Sequence, residues 1–227
     1  MKASDIIERL RSRADTSLRQ AAVRAGIPAD SVLGVEEAVL EDLAGRIGTD
    51  HALALELWDS GLYEARLLAL RVANPARVSE ALAEDWVEAL DSPAMTDLAC
   101  LHLFRRLERA WRLAGEWQER EEELVKRTGF ALLAALAVYD LDAEDDAFRA
   151  FFPAIELEAS DRRAGVREAV ARALRDMGLR SRDLYDQALE VARGLREGSE
   201  GEAAEVGREV LGELESESVR ARMSGED

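Results

Sequence analysis

The spacing of the apolar residues constrains the fold of this chain more than any other feature of its sequence. Alanine, leucine and branched residues recur at intervals of three and four positions almost from end to end, which is typical of amphipathic helices. No segment alternates apolar and polar residues over the length of a strand. Short breaks at Gly, Pro and Asn separate the periodic segments and force neighbouring helices to run antiparallel. The pattern predicts an all-α chain, with single helices over 117–138, 144–157 and 201–220 among its elements.

The composition is that of a globular protein. Of the 227 residues, 48% are hydrophobic and 34% are charged, a balance that excludes a disordered chain. No apolar run reaches the ~18 residues that a membrane-spanning helix needs. The single cysteine, Cys100, excludes an internal disulfide and a cysteine-based metal cluster, and two histidines are too few for a histidine-rich metal site. We expect a cytoplasmic monomer that uses no metal or cofactor and does not associate with membranes.

Four helical segments share a polar residue at a corresponding position. Arg66, Arg127 and Arg167 each lie at the start of a run of small and branched apolar residues, and Asp97 lies there in a fourth run. The intervals of 31, 30 and 40 residues are close to the period of HEAT-type helical pairs. Such repeats stack into an α-α superhelix with a concave groove, which these side chains would line. An arginine at this place is also commonly solvated or paired along its own helix, so a structural role stays open for each.

The charge of the chain is unevenly distributed. Thirty basic residues stand against 47 acidic ones, and the net charge of −17 by itself argues against binding to phosphates. Residues 197–227 hold ten acids and three bases, whereas residues 161–182 hold seven arginines and three acids. We therefore predict a HEAT-like repeat domain over 1–196 and an acidic helix or tail over 197–227 that either caps the last repeat or frays in solvent. The acidic surface favours a protein partner, whereas the basic segment favours DNA. The candidate phosphate contacts in this segment are Arg162, Arg163, Arg167 and Arg172.

Several short segments between residues 50 and 180 follow one another in a characteristic order and spacing. They are Leu57-Trp58-Asp59-Ser60-Gly61-Leu62-Tyr63-Glu64-Ala65-Arg66, Asp85-Trp86-Val87, Asp97-Leu98, Lys126-Arg127-Thr128-Gly129-Phe130 and Val166-Arg167-Glu168-Ala169-Val170. In this order they resemble the bacterial DNA alkylation repair family of HEAT-like repeat DNA glycosylases. The resemblance implies removal of cationic N-alkylated purines, such as 3-methyladenine and 7-methylguanine, from duplex DNA.

The resemblance also implies roles for particular residues. Asp97 matches the family's catalytic carboxylate and Arg127 its groove arginine, and we expect Lys126 and Arg66 to contact DNA beside them. A carboxylate near the deoxyribose stabilises the oxocarbenium-like transition state more than the ground state. An arginine can hold a phosphate by a bidentate contact. The alternative for Asp97 is an acid that caps its helix or lies in its first turn.

The chain departs from the family where aromatic residues are expected. Pro93 and Arg172 occupy the positions of two tryptophans, and Glu168 occupies that of a lysine. Aromatic contacts to a cation contribute roughly 0.5–2 kcal/mol each. Loss of two would slow base release by about tenfold to several hundredfold. Two functions stay open: a monofunctional DNA glycosylase, and a non-catalytic HEAT-like module that binds DNA or a protein partner.

Overall fold

The structure, a computed structural model, describes residues 2–198 and 201–224. Within these ranges the chain forms α-helices and two short 3₁₀ helices, Pro75–Arg77 and Phe104–Arg106, and no strand. The predicted all-α fold class is confirmed. Residues 199–200 and 225–227 of the predicted acidic segment 197–227 lie outside the described residues. None of the described helices combines the length and the apolar character that crossing a membrane requires.

The chain divides into two compact units, Met1–Glu108 and Arg109–Asp227. The helices of the first unit are α1 (Ala3–Arg11), α2 (Thr16–Arg24), α3 (Glu37–Ile47), α4 (His51–Asp59), α5 (Tyr63–Val72), α6 (Glu80–Glu88) and α7 (Pro93–His102). Those of the second are α8 (Ala110–Gln118), α9 (Glu123–Tyr139), α10 (Asp145–Arg149), α11 (Phe152–Glu158), α12 (Ala164–Gly178), α13 (Arg182–Gly198), α14 (Glu202–Leu214) and α15 (Glu217–Ser224). The predicted domain boundary at residue 196 stays a prediction.

The core of the first unit is built around α5. This helix packs against α3, α4 and α7, and its residues Ala65, Leu68 and Leu70 have no solvent-exposed surface. The partner helix α4 begins where the side chain of Asp50 accepts a hydrogen bond from the backbone N–H of Leu53 at 3.1 Å. Burial of apolar side chains on several faces of α5 makes it the element against which the other helices of this unit are positioned.

In the second unit, α9 lies between α8 and α12, and α12 in turn packs against α13 and α14. The approach of α9 to α8 depends on Gly129, where an added Cβ would lie 2.4 Å from the backbone nitrogen of Gln118. Farther along the chain, α14 buries Val206, Val210 and Leu214. Part of the acidic C-terminal segment is therefore a packed element of this unit.

Three segments predicted as single helices are interrupted. The 144–157 segment is broken between α10 and α11, since Pro153 lacks an N–H and is tolerated only in the first turn of a new helix. The 201–220 segment is broken at Ser216, whose hydroxyl donates to the Glu213 carbonyl at 2.8 Å. The 117–138 segment is broken after Gln118, and α9 begins with Glu123 in its first turn, where the helix dipole favours an acid.

Candidate functional site

The predicted catalytic residue, Asp97, lies on the fifth residue of α7 and is half-buried. The N-terminus of this helix is capped by Ser92, whose hydroxyl accepts from the backbone N–H of Met95 at 3.4 Å. The first turn of α7 contains no acidic residue. Asp97 therefore neither caps α7 nor lies in its first turn, and its role as the catalytic carboxylate stays a prediction. The buried face of α7, which includes Met95 and Cys100, packs toward the core.

Arg66 is engaged inside the first unit. Its guanidinium donates to the carbonyl of Ala89 at 3.2 Å and lies 3.4 Å from a carboxylate oxygen of Asp91. The same group lies 5.1 Å from the ring centroid of Trp58, which stacks on Trp86 with a centroid distance of 4.3 Å. Arg66 thus joins α5 to the connection between α6 and α7, and its role as a DNA contact stays a prediction.

Lys126 and Arg127 are adjacent on α9 and both are almost fully buried, with exposed fractions of 8% and 5%. The ammonium of Lys126 lies 2.7 Å from a carboxylate oxygen of Glu158. The guanidinium of Arg127 donates to the carbonyl of Gly165 at 2.9 Å. Both cations therefore tie α9 to the α11–α12 region of the second unit, which leaves little of either side chain accessible to a phosphate.

The arginines at the start of α12 surround Asp161. Arg163 bonds both carboxylate oxygens of Asp161, at 2.9 and 2.5 Å, and also donates to the carbonyl of Glu121 at 2.6 Å. Arg167 donates to the backbone carbonyl of Asp161 at 2.7 Å. The hydrogen bonds from the side chain of Arg163, and then that from its backbone N–H, hold the pKa of Asp161 at about 2. Arg162 is exposed.

The positions that depart from the family are on helix surfaces. Pro93 is the first residue of α7 and is exposed. Arg172 is half-buried on α12, and Glu168 is exposed on the same helix. Arg66 and Asp97 belong to the first unit and the other candidate cations to the second. That all of them line one groove stays a prediction.

His102 does not add an acid–base group to this site. Burial, followed by the nearby charges of Arg71, Arg105 and Arg106, lowers the pKa of His102 to about 4, so that the imidazole is neutral at pH 7. Among the described residues, no three His, Cys, Asp or Glu side chains come together as metal ligands would. The predicted cytoplasmic location and monomeric state stay predictions.

Sequence reasoning directed attention to the arginines of 161–182 and missed a second basic stretch. Residues 9–24 contain five arginines and one aspartate. A count of charges in short windows would have detected it. The structure adds that nearly all of these residues are exposed.

Comparison with known proteins agrees with this architecture. A family model described as DNA alkylation repair enzyme matches residues 6–206. The chain belongs to the DNA alkylation repair enzyme family. The match spans both units and includes Asp97 and the cations of α9 and α12.

A solved structure shares the fold of this family member. It is described as "A new family of proteins related to the HEAT-like repeat DNA glycosylases with affinity for branched DNA structures". Its TM-score is 0.80 at 18% sequence identity, and the alignment covers 94% of this chain and 95% of that one. The predicted HEAT-like repeat fold is therefore confirmed. No curated protein matches the chain significantly.

Proposed function

We propose that this member of the DNA alkylation repair enzyme family binds duplex DNA and releases N-alkylated purines from it, with Asp97 as the catalytic carboxylate. The observation that carries the proposal is the place of Asp97, half-buried on α7 beyond a first turn that Ser92 already caps. A carboxylate that does not cap its helix and is only half-buried can be reached by a ligand. The matched family model includes this helix.

The chemistry requires little more than a well-placed negative charge. An alkylated purine carries a positive charge, so the base is a good leaving group without protonation. As the bond from the base to the sugar breaks, the positive charge moves to the deoxyribose ring. A fixed carboxylate stabilises this transition state more than the ground state, and it can also orient the attacking water.

A second candidate function is DNA binding without base release, and two observations favour it. Pro93 and Arg172 stand where the family's tryptophans are expected, so aromatic contacts to the sugar are missing at these positions. The protein of similar fold belongs to a group with affinity for branched DNA structures. In this case Asp97 would have no chemical role, and branched DNA would be the preferred ligand.

The test measures release of 7-methylguanine from methylated duplex DNA by the full chain and by Asp97→Asn. We expect release by the unmodified chain and a loss of about tenfold or more in the variant, because the charge that stabilises the transition state is removed. Asp85→Asn is the matched control, since Asp85 is an exposed acid on α6 of the same unit. It is expected to retain full activity.

Two results would contradict the proposal. Equal release by the unmodified chain and Asp97→Asn would remove this carboxylate from the mechanism. No release by either, together with salt-sensitive binding that is tighter for a four-way junction than for a linear duplex, would establish the second function instead.

A further inference from the structure

Eight of the nine residues of helix α2 are exposed, and the ninth, Ala22, is half-buried. None of its nine residues is buried, and its apolar residues Leu18 and Val23 are 40% and 38% exposed. A helix this short is marginal in water without tertiary contacts. Something other than burial of an apolar face must therefore hold α2 in place.

Polar contacts at its first turn anchor this helix. Asp15 caps α2 by accepting from the backbone N–H groups of Ser17 and Leu18, at 2.8 and 2.9 Å. Arg19 donates to the carbonyls of Val32 and Ala29, at 3.0 and 2.6 Å. These bonds fix the first half of α2 to the connection that follows it.

The connection is fixed in turn to the core of the first unit. The N–H of Asp15 donates to the carbonyl of Gly34 at 2.8 Å. Gly34 has a φ of +83°, and an added Cβ would lie 2.3 Å from the carbonyl oxygen of Asp15. The carboxylate of Glu64, buried in α5, accepts from the N–H groups of Leu33, Gly34 and Val35. The exposed helix is therefore presented in a fixed position.

The charge of this region is opposite to that of the chain. Residues 9–24 carry a net charge of +4 in a chain whose net charge is −17. Arg19 is engaged in anchoring α2, and Arg9 lies 3.8 Å from Asp42. The other three arginines are Arg11, Arg13 and Arg24, which are exposed and make no ion pair or side-chain hydrogen bond with any described residue. Their guanidinium groups are available to an external anion.

The apolar face of α2 borders a groove that reaches the helix of Asp97. Leu18 and Ala22 line a cavity of about 370 Å³ in the first unit, together with Tyr63, Leu67 and Leu98. Leu98 is the residue next to Asp97 on α7. The exposed basic helix and the helix of the predicted catalytic carboxylate therefore flank the same groove.

We propose that the end of α1, the turn that follows it and α2 form a DNA-binding arm, in which Arg11, Arg13 and Arg24 contact backbone phosphates beside α7. This inference rests on the proposed function, because it identifies the part of the chain that binds the backbone of the DNA on which Asp97 acts. The arm supplies accessible positive charge that Lys126 and Arg127, both almost fully buried, do not. Guanidinium groups suit this role because their fixed donors match the geometry of a phosphate.

The experiment compares the salt dependence of duplex binding for the full chain and for the triple variant Arg11→Gln, Arg13→Gln, Arg24→Gln. The logarithm of the binding constant falls with the logarithm of the salt concentration, and each phosphate contact adds about 0.9 to the steepness of this fall. Loss of three contacts therefore makes the line shallower by about 2.7. The corresponding loss of affinity is about 500-fold at 0.1 M salt. Glutamine preserves helix propensity, and circular dichroism checks that the fold is intact.

A charge-matched control separates a local contact from the change in net charge. Arg77→Gln, Arg208→Gln, Arg222→Gln removes the same three charges from exposed positions on other elements and is expected to keep the slope. A triple variant of the arm that binds with the slope and affinity of the unmodified chain would overturn the inference. The same holds if the control loses as much as the arm variant.

The failure of the proposed function has a different signature. If Asp97→Asn keeps both the salt slope and base release, the catalytic assignment fails while the arm stands. If the unmodified chain binds neither a linear duplex nor a four-way junction, the DNA-binding function and the arm fail together. If the triple variant of the arm keeps its DNA binding but loses binding to an acidic protein, the arm belongs to a protein partner and the inference is overturned.

Discussion

Glu64 is a buried acid whose replacement tests how the first unit is held together. The side chain is 2% exposed in α5. Its carboxylate accepts four contacts of 2.6–3.2 Å from the consecutive backbone N–H groups of Leu33, Gly34 and Val35. These donors belong to the connection between α2 and α3. We expect Glu64→Gln to destabilise the first unit and to loosen this connection.

The magnitude follows from the geometry of the four contacts. The amide keeps one oxygen, which can still accept from Gly34 and Val35 without the benefit of a full negative charge. Its NH₂ group replaces the oxygen that accepts from Leu33 alone, so that a buried amide donor faces this N–H without an acceptor, while Leu33 keeps only its 3.1 Å contact to the retained oxygen. Hydrogen bonds to a charged acceptor contribute about 1.5–3 kcal/mol, and a buried donor without an acceptor costs about 1–3 kcal/mol. We expect the free energy of unfolding to fall by about 2–4 kcal/mol.

Urea unfolding followed by tryptophan fluorescence and circular dichroism measures this loss. The stacked pair Trp58 and Trp86 lies in the first unit and contributes to the fluorescence signal. The matched control is Glu41→Gln, an exposed acid on α3 that should change stability by less than about 0.5 kcal/mol. If the two variants unfold alike, the carboxylate of Glu64 does not hold the connection, and the anchoring of α2 through it is wrong.

Three further predictions concern the packing and protonation of other residues. Gly129→Ala should cost about 1–3 kcal/mol, because its Cβ would meet the backbone of α8, whereas Gly115→Ala meets nothing and should be neutral or stabilising in the same unfolding assay. The pKa of Asp161, about 2 in the folded state, lies below its ordinary value of 3.8, so its stabilising contribution is present above pH 4 and is lost as the pH falls toward 2. Asp161→Asn should therefore lower the free energy of unfolding at pH 7 and reduce its fall between pH 4 and 2. If the free energy of unfolding of the variant falls as steeply with pH as that of the unmodified chain, the ion pair is contradicted. The imidazole of His102 should titrate near pH 4 in an NMR experiment, and stability should fall between pH 6.5 and 4 because only the unfolded state takes up the proton there; a midpoint near 6.5 would show that the group is not desolvated.

The fold was predictable from the sequence because helices depend on residues that are close together along the chain. Apolar residues at intervals of three and four define a face that must be buried, and caps such as Asp50 and Ser92 mark where helices begin. The interruptions were less predictable. Ser216 and Pro153 change the course of the backbone through a single side chain, while the periodicity on either side of them continues.

The candidate site was predictable in part only. Asp97 is a candidate because the resemblance to the family depends on order and spacing along the chain, and its role stays a prediction. The state of the cations was not predictable, since their partners are far away in sequence: Arg127 bonds Gly165, which is 38 residues later, and Arg163 bonds Glu121, which is 42 residues earlier. No local sequence pattern shows that a basic side chain will be hydrogen-bonded to a distant part of the chain and so be less accessible to a ligand.

The net charge of a chain therefore says little about whether it can bind DNA, because accessible charge and total charge differ. The basic segment 161–182 looked suited to phosphates, yet Arg163, Arg175 and Arg180 are used to join helices within the second unit. The stretch 9–24 is smaller, but Arg11, Arg13 and Arg24 face solvent with no internal partner among the described residues. Acids more than about 10 Å from α2 are largely screened at 0.1 M salt, so a phosphate at this helix responds to the charges close by, which are these guanidinium groups and the acids Glu36 and Glu37 on the adjoining groove. An acidic protein can thus bind a polyanion at one place, provided that exposed basic side chains without internal partners are clustered there.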